Sequence, residues 1–377
     1  MMTAYLHEIT ARSKDFGPQL SSPADFTLGP GQEVSPDMIL ASPDWSLYCL
    51  DFAEGKALFV EMPAGTNLAE AAFVYGAQFD LAQRAITVPL NSLENLANQI
   101  PLPANLAFLF STSRCGSTLA SRILAQLPNV WSLSEPDCYT NLAFERFTLP
   151  DGRAKSIIGA ATRLLCRPPR GQNIDTIVIK PRSEAIMQAE LFVQALPEAR
   201  NIFLYRDAEG YVNSLYQFVQ RALGAELFFS SVESWRVDWP YISVNAPLTL
   251  LDDYFGKEHG EISRPEVHTM AWLIRIEGYL AALDHGMPFQ ALHYHDLNTN
   301  RRAETERLLE GCGISTAHLD RAMRGFEKDS HSGAVTDNSH EAIPMDTEQR
   351  ARVYAMLHRI GKSNYLTTRL PDTVSTT

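Results

Sequence analysis

Apolar positions fall into two regimes along this 377-residue chain. From about residue 101 onward, short apolar runs alternate with stretches of helical periodicity. The runs Leu106–Phe110, Val130–Leu133, Thr176–Ile179, Asn201–Tyr205 and Phe289–Tyr294 are predicted strands. Near-continuous apolar character, rather than strict alternation, suits strands buried on both faces of a parallel sheet. The longer helical stretches between them cover those faces. The fold class expected is therefore α/β, a parallel sheet flanked by helices. Ligands of such sheets sit beyond the carboxyl ends of the strands, so the residues just after each strand are where chemistry is sought.

The first hundred residues read differently. Residues 1–40 are rich in Pro, Gly, Ser and Asp and show little periodicity, so they are expected to be loop-like. Trp45–Phe52 and Ala57–Met62 flank a four-residue turn and predict a β-hairpin. Asn67–Phe79 is a predicted helix and Ala85–Pro89 a short strand. Pro101-Leu102-Pro103 is a stiff segment suited to a boundary. It divides a small α+β N-terminal module, residues 1–100, from the main domain, residues 101–345. Residues 346–377 are expected to form a C-terminal helix and a tail, frayed over Thr367–Thr377.

Composition narrows the function classes. A formal net charge of −12, from 32 basic and 44 acidic residues, argues against a nucleic-acid coat or a membrane-surface protein. It leaves room for a local basic pocket that takes a small anion. Five cysteines with no C-x-x-C spacing argue against a disulfide framework or a zinc site and fit a reducing cytoplasm. Met1–Phe16 has no apolar run of signal-peptide length.

The strand Leu106–Phe110 runs into Ser111-Thr112-Ser113-Arg114-Cys115-Gly116-Ser117-Thr118, followed by a helical pattern of Leu119, Ala120, Ile123, Leu124 and Leu127. Strand, small-residue turn and helix is how proteins cradle phosphate: the free N–H groups of the helix start point at the anion. Gly116 permits close approach, Ser117 and Thr118 add hydroxyl donors, and Arg114 adds fixed charge. The G-x-x-x-x-G-K-[ST] pattern of magnesium-dependent triphosphate sites is absent, since no Lys follows Gly116. An ordinary βα turn of small residues is the alternative.

Three other strand tips carry chemistry. Asn201–Tyr205 ends in Arg206-Asp207, with Ser214 eight residues after the arginine; a planar fork and a hydroxyl two helical turns on can share one phosphate. Thr176–Ile179 ends in Lys180-Pro181-Arg182, and Val130–Leu133 ends in Ser134-Glu135-Pro136-Asp137. Taken alone, these are equally a surface Arg–Asp turn, a solvated lysine and a helix-start acid.

Together these segments resemble the sulfotransferase family. Ser113–Leu119 is similar to its 5′-phosphosulfate loop, P-[KR]-S-G-[ST]-T-[LW], with Ser113 in place of Pro and Cys115 in place of Ser. Arg206–Ser214 is similar to its 3′-phosphate motif, R-[DN]-P-x-[DE]-x-x-x-S, with Ala208 and Gly210 departing from it. Leu119, where cytosolic members carry a Trp, is closer to the bacterial and protein-tyrosine branches. The resemblance spans roughly residues 105–335 and implies a sulfotransferase-like fold using 3′-phosphoadenosine 5′-phosphosulfate (PAPS), without metal. It implies that Ser113, Arg114, Cys115, Gly116, Ser117 and Thr118 hold the 5′ end, that Arg206 and Ser214 hold the 3′-phosphate, and that Lys180 with Arg114 stabilises the transferred group. Glu135 is implied as base. A late loop, His331 and Ser332, is implied to cover the nucleotide. The acceptor is expected to be a small molecule with a hydroxyl or amine, its pocket lined by Trp235, Trp239, Tyr241 and Phe228-Phe229 or these aromatics serving only in packing. His293 and His295 are expected on one strand face, as packing residues or a metal pair. Two other classes stay open: another P-loop phosphotransferase, such as a small-molecule kinase, and a non-catalytic nucleotide sensor on the same fold.

Overall fold

The structure is a computed structural model, and it describes residues 3–14, 19–145, 148–223, 228–229, 262–327, 345–363 and 369–373. It contains two large sheets. The first is antiparallel and six-stranded: β1 (Ala4–Arg12), β2 (Phe26–Leu28), β3 (Gln32–Val34), β4 (Trp45–Asp51), β5 (Lys56–Glu61) and β6 (Arg84–Pro89). Its order is β2-β1-β6-β5-β4, with β3 also paired to β1. The β4–β5 hairpin forms as the sequence predicts.

Residues 1–40 correct the loop expectation. β1 is held to β6 in the register Tyr5↔Thr87 to Glu8↔Arg84, and β2 and β3 pair with it. Within β1 only Ala4 is buried, so backbone pairing to a partner some eighty residues downstream makes the strand, and apolar patterning does not reveal it. Asn67–Phe79 also departs from one helix. Asn67 caps a short 3-10 turn, Leu68–Glu70, and Phe73 is extended before a helix at Val74–Leu81.

The second sheet is parallel: β7 (Asn105–Ser111), β8 (Val130–Ser134), β9 (Thr176–Lys180), β10 (Arg200–Tyr205) and β13 (Gln290–His293), in the order β13-β10-β7-β9-β8. A small ribbon of β11 (Phe228–Phe229) and β12 (Ile262–Ser263) lies apart from it. β7 is central, and the chain passes from β9 on one side of it to β10 on the other. That reversal opens a crevice at the carboxyl ends, at the tip of β7.

Alternation along β7 divides the core. Leu106, Phe108 and Phe110 enter a large cluster that also holds Leu47, Phe59 and Ile86 of the antiparallel sheet. Ala107 and Leu109 enter a second cluster with Ile123, Leu124, Leu308 and Leu309. Phe108, Phe110, Tyr139 and Phe192 interlock in the first, with Phe108 and Phe192 edge to face at 5.0 Å. Full burial of such a ring contributes roughly 1.5–3 kcal/mol. Buried polar links tie the first hundred residues to this layer. The Leu50 N–H donates to Asn141, Asn141 donates to the Ser21 carbonyl, and the Ser21 N–H donates to Asp137.

The helix Thr347–Arg359 opens with an Asp346 capping box, and Arg352 pairs with Glu266 at 3.0 Å. Residues 369–373, expected to fray, dock instead beside β13. The Ala291 N–H donates to the Asp372 carbonyl, Ala291 and Thr373 form a parallel bridge, and the Leu370 N–H donates to the Tyr205 hydroxyl. Unpaired backbone groups on an edge strand are what such a segment satisfies. Among the described residues no helix is long and apolar enough to cross a membrane.

Candidate functional site

The loop between β7 and the helix Ser117–Ala125 has unusual backbone. Ser113 and Arg114 have φ of 63° and 49°, and Gly116 has φ of 78°. Among the described residues only four non-glycine residues have positive φ; two of them, Ser113 and Arg114, lie in this loop, and a third, Glu135, follows β8 at the same edge of the sheet. Such conformations cost of order 1–3 kcal/mol each and cluster at functional sites. Gly116 is required twice over. It takes the left-handed cap of the helix, and a Cβ there would lie 2.6 Å from the Tyr294 ring. Ser117 and Thr118 are buried in the first helical turn. Cys115 is a correction to the expected donor set. Its Sγ points inward to the Leu204 carbonyl at 3.2 Å, and burial pushes its thiol above the usual range. Only its backbone can face an anion.

Arg206, Arg114 and Ser214 meet over this loop, with partners different from those the spacing suggests. Ser214 accepts from Arg114 Nε at 2.9 Å, while Arg206 Nη1 donates to the Arg114 carbonyl at 3.4 Å. The Arg206 guanidinium lies 4.8 Å from the centre of the Tyr294 ring, the same ring that packs on Gly116. Trp272 Nε1 donates to the Arg206 carbonyl at 2.9 Å and fixes the strand tip. Arg206 Nε is buried with no acceptor among the described residues. Gly210 explains its own departure from the motif: a Cβ there would come within 2.3 Å of that Nε, so only glycine lets the arginine lie along the helix start. Asp207 receives the Gly210 N–H at 2.7 Å and caps the helix Ala208–Leu223.

The tips of β8 and β9 bring a third cation to the same sheet edge. Lys180 Nζ lies 2.5 Å from Glu135 Oε1, with the lysine side chain 1% and the glutamate 20% exposed. Glu135 has a left-handed φ of 59°, and its N–H donates to the Lys180 carbonyl at 2.6 Å, so side chain and backbone lock the pair together. Arg182 forms a two-pronged pair with fully buried Asp137, at 2.6 and 2.9 Å. Burial opposes the Arg182 charge, but Asp137 more than restores it and holds its ionisation above the usual arginine range. Arg182 therefore serves Asp137 and the N-terminal segment behind it.

Two aromatic residues the sequence did not point to complete this wall. The Phe73 ring lies 5.6 Å from Lys180 Nζ, and Tyr75, stacked on Phe73 at 5.5 Å, lies 4.1 Å from the Arg182 guanidinium. Tyr294 was likewise missed. The signals were the glycine at 116, which implies a close neighbour, and a phenylalanine at a helix cap.

His293 and His295 do not share a strand face. β13 ends at His293, and His295 is exposed on the following helix, Tyr294–Thr299. Burial, with Arg369 adding to it, lowers His293 to about 4, so the ring is neutral at pH 7 and stands edge-on to Tyr205. His331, Ser332, Trp235, Trp239 and Tyr241 lie outside the described residues, as do the side chains of Phe228 and Phe229.

No protein-family model matches the sequence, and no curated protein matches it. Solved structures do. The sulfotransferase STF9 from Mycobacterium avium is 13% identical with a TM-score of 0.41, over 70% of this chain and 77% of that one. A sulfotransferase from Alicyclobacillus acidocaldarius is 14% identical with a TM-score of 0.42, over 72% and 98%. Retinol dehydratase, in complex with androsterone and the inactive cofactor PAP, is 12% identical with a TM-score of 0.37, over 75% and 88%.

Proposed function

We propose that this chain transfers a sulfuryl group from PAPS to a hydroxyl or amine of a small-molecule acceptor. The observation that carries the reading is the convergence of Arg114, Arg206, Ser214 and Tyr294 around the Gly116 cradle, beside the Lys180–Glu135 pair. The residues fit a doubly phosphorylated nucleotide on two counts. The left-handed loop 113–116 leads into a helix start whose free N–H groups suit a phosphate, and the Arg206 Nε is a buried donor with no acceptor among the described residues. A desolvated donor left without a partner costs free energy that an anion would recover.

The donor supplies the sulfuryl group and a stable bisphosphate leaving group. The backbone of 113–116, with Ser117 and Thr118, binds its 5′ end at the helix start. Arg206, with Arg114 and Ser214, takes the 3′-phosphate. Glu135 accepts the proton of the acceptor as its oxygen or nitrogen bonds to sulfur. The bond from sulfur to the bridging oxygen breaks, and Lys180 neutralises the charge left on that oxygen. Positioning and charge stabilisation do the work, as in other in-line transfers. Lys180, already paired with Glu135 at 2.5 Å, links the base to the leaving group.

Calorimetry with adenosine 3′,5′-bisphosphate (PAP), adenosine 5′-monophosphate and ATP, in chelator and in magnesium, tests this. Loss of charge-assisted contacts worth about 1.5–3 kcal/mol should make the monophosphate bind roughly ten-fold or more weakly than PAP. Chelator should leave PAP binding unchanged. Equal affinity for the two nucleotides overturns the assignment, and tight magnesium-dependent binding of ATP alone replaces it with a kinase.

A further inference from the structure

The N-terminal module meets the Lys180–Glu135 pair at the Phe73 ring. Phe73 occupies the N-cap of the helix Val74–Leu81, where its backbone is extended and it makes no side-chain capping hydrogen bond. Ser, Thr, Asp and Asn are favoured at that position because they satisfy the free N–H groups of the first turn, and an apolar residue forgoes that stabilisation. A residue that breaks a local rule points to a demand from elsewhere in the fold. Here the demand is visible. The Phe73 ring lies 5.6 Å from Lys180 Nζ, and Tyr75 backs it on a nearly parallel plane at 17°. Tyr75 is anchored in turn on Arg182, and Arg182 on Asp137, which also holds the Ser21 N–H. The ring is half-buried, whereas the lysine it covers is almost wholly so.

We propose that Phe73 is a positioning residue for Lys180, so that the N-terminal module completes the transfer site. The proposal rests on the sulfuryl-transfer reading for its purpose, but the contact itself is testable without it. An aromatic face attracts the ammonium through the ring quadrupole. That attraction limits the lysine to the rotamers that reach Glu135 and keeps water from competing for its protons. Without the ring, Lys180 would still pair with Glu135, but its ammonium would be free to swing toward solvent.

The test is nitrogen-detected NMR of lysine side-chain ammonium groups in the full chain, with Lys180→Met assigning the signal. In the wild type Lys180 should give a slowly exchanging, ring-shifted signal. Phe73→Leu keeps apolar volume and removes the quadrupole; its Lys180 protons should exchange roughly three- to thirty-fold faster, and the ring shift should vanish. Phe73→Tyr keeps the ring and should restore both, which separates positioning from simple packing. An unchanged Lys180 signal in Phe73→Leu, or no protected signal in the wild type, overturns the proposal. Adding PAP distinguishes the two readings. A Phe73-dependent Lys180 signal in a chain that binds no PAP would uphold the contact and remove the sulfuryl-transfer reading.

Discussion

Two cations, Lys14 in the N-terminal module and Arg206 at the tip of β10, meet different surroundings. Lys14 is 5% exposed, and acceptors surround its ammonium: Asp25 at 3.4 Å, Ser21 Oγ at 3.4 Å and the Tyr48 hydroxyl at 3.3 Å. The rings of Tyr48, Tyr75 and Phe79 close over it at 5.4 to 5.7 Å. Arg206 has a carbonyl at 3.4 Å, the face of Tyr294, and an Nε with no acceptor among the described residues. Lys14 is almost wholly buried and Arg206 half-buried with its Nε enclosed, yet among the described residues only Lys14 has a carboxylate beside it. A buried charge that closes on its own partners adds specificity to the fold. One that stays open at a strand end, beside strained backbone, is arranged for something that arrives later.

The Lys180–Glu135 pair tests that distinction most severely, because it is as closed as the Lys14 cluster but stands at the strand tips. If it serves transfer, Glu135→Gln should slow turnover about 10²- to 10⁴-fold with PAP affinity retained, measured at saturating PAPS with an accepted phenol or alcohol. A loss of stability with turnover near wild type would put the pair in the same class as Lys14. For Lys14 itself, Lys14→Met should leave Asp25 buried without its cation. Unfolding in denaturant should then be easier by about 3–5 kcal/mol, while PAP affinity stays unchanged. Weaker PAP binding in that variant would erase the contrast between the two cations. Arg206→Ala should do the reverse and cost roughly 1.5–3 kcal/mol in PAP binding, read by calorimetry. Its thermal stability should hold or rise, since an unsatisfied buried donor is removed. A large fall in stability would mean that Arg206 is structural after all.

The parallel sheet was legible because its strands are short, apolar and buried on both faces, so the composition of each run reports its environment directly. Residues 1–40 were not, because β1 is mostly exposed and exists through backbone pairing to β6. The site was legible as a set of residue types at strand tips, and its internal pairing was not. Spacing along the helix puts Ser214 within reach of an arginine, but the left-handed turn at Ser113 and Arg114 delivers Arg114 to it in place of Arg206. Phe73 and Tyr294 were invisible for the same reason. Each matters through a contact made far away in sequence, with Lys180 and with Gly116.

The docking of residues 369–373 against β13 bears on how this chain behaves among its own copies. An exposed parallel edge is a template on which a second molecule can add a strand. Here the bridge between Ala291 and Thr373 occupies part of one edge of the parallel sheet. At the other, Asn67 reaches the indole of Trp131 on β8 at 3.2 Å and holds the turn Leu68–Glu70 close by. A docked segment at one edge strand and a packed turn beside the other leave less open backbone on which a second copy could add a strand.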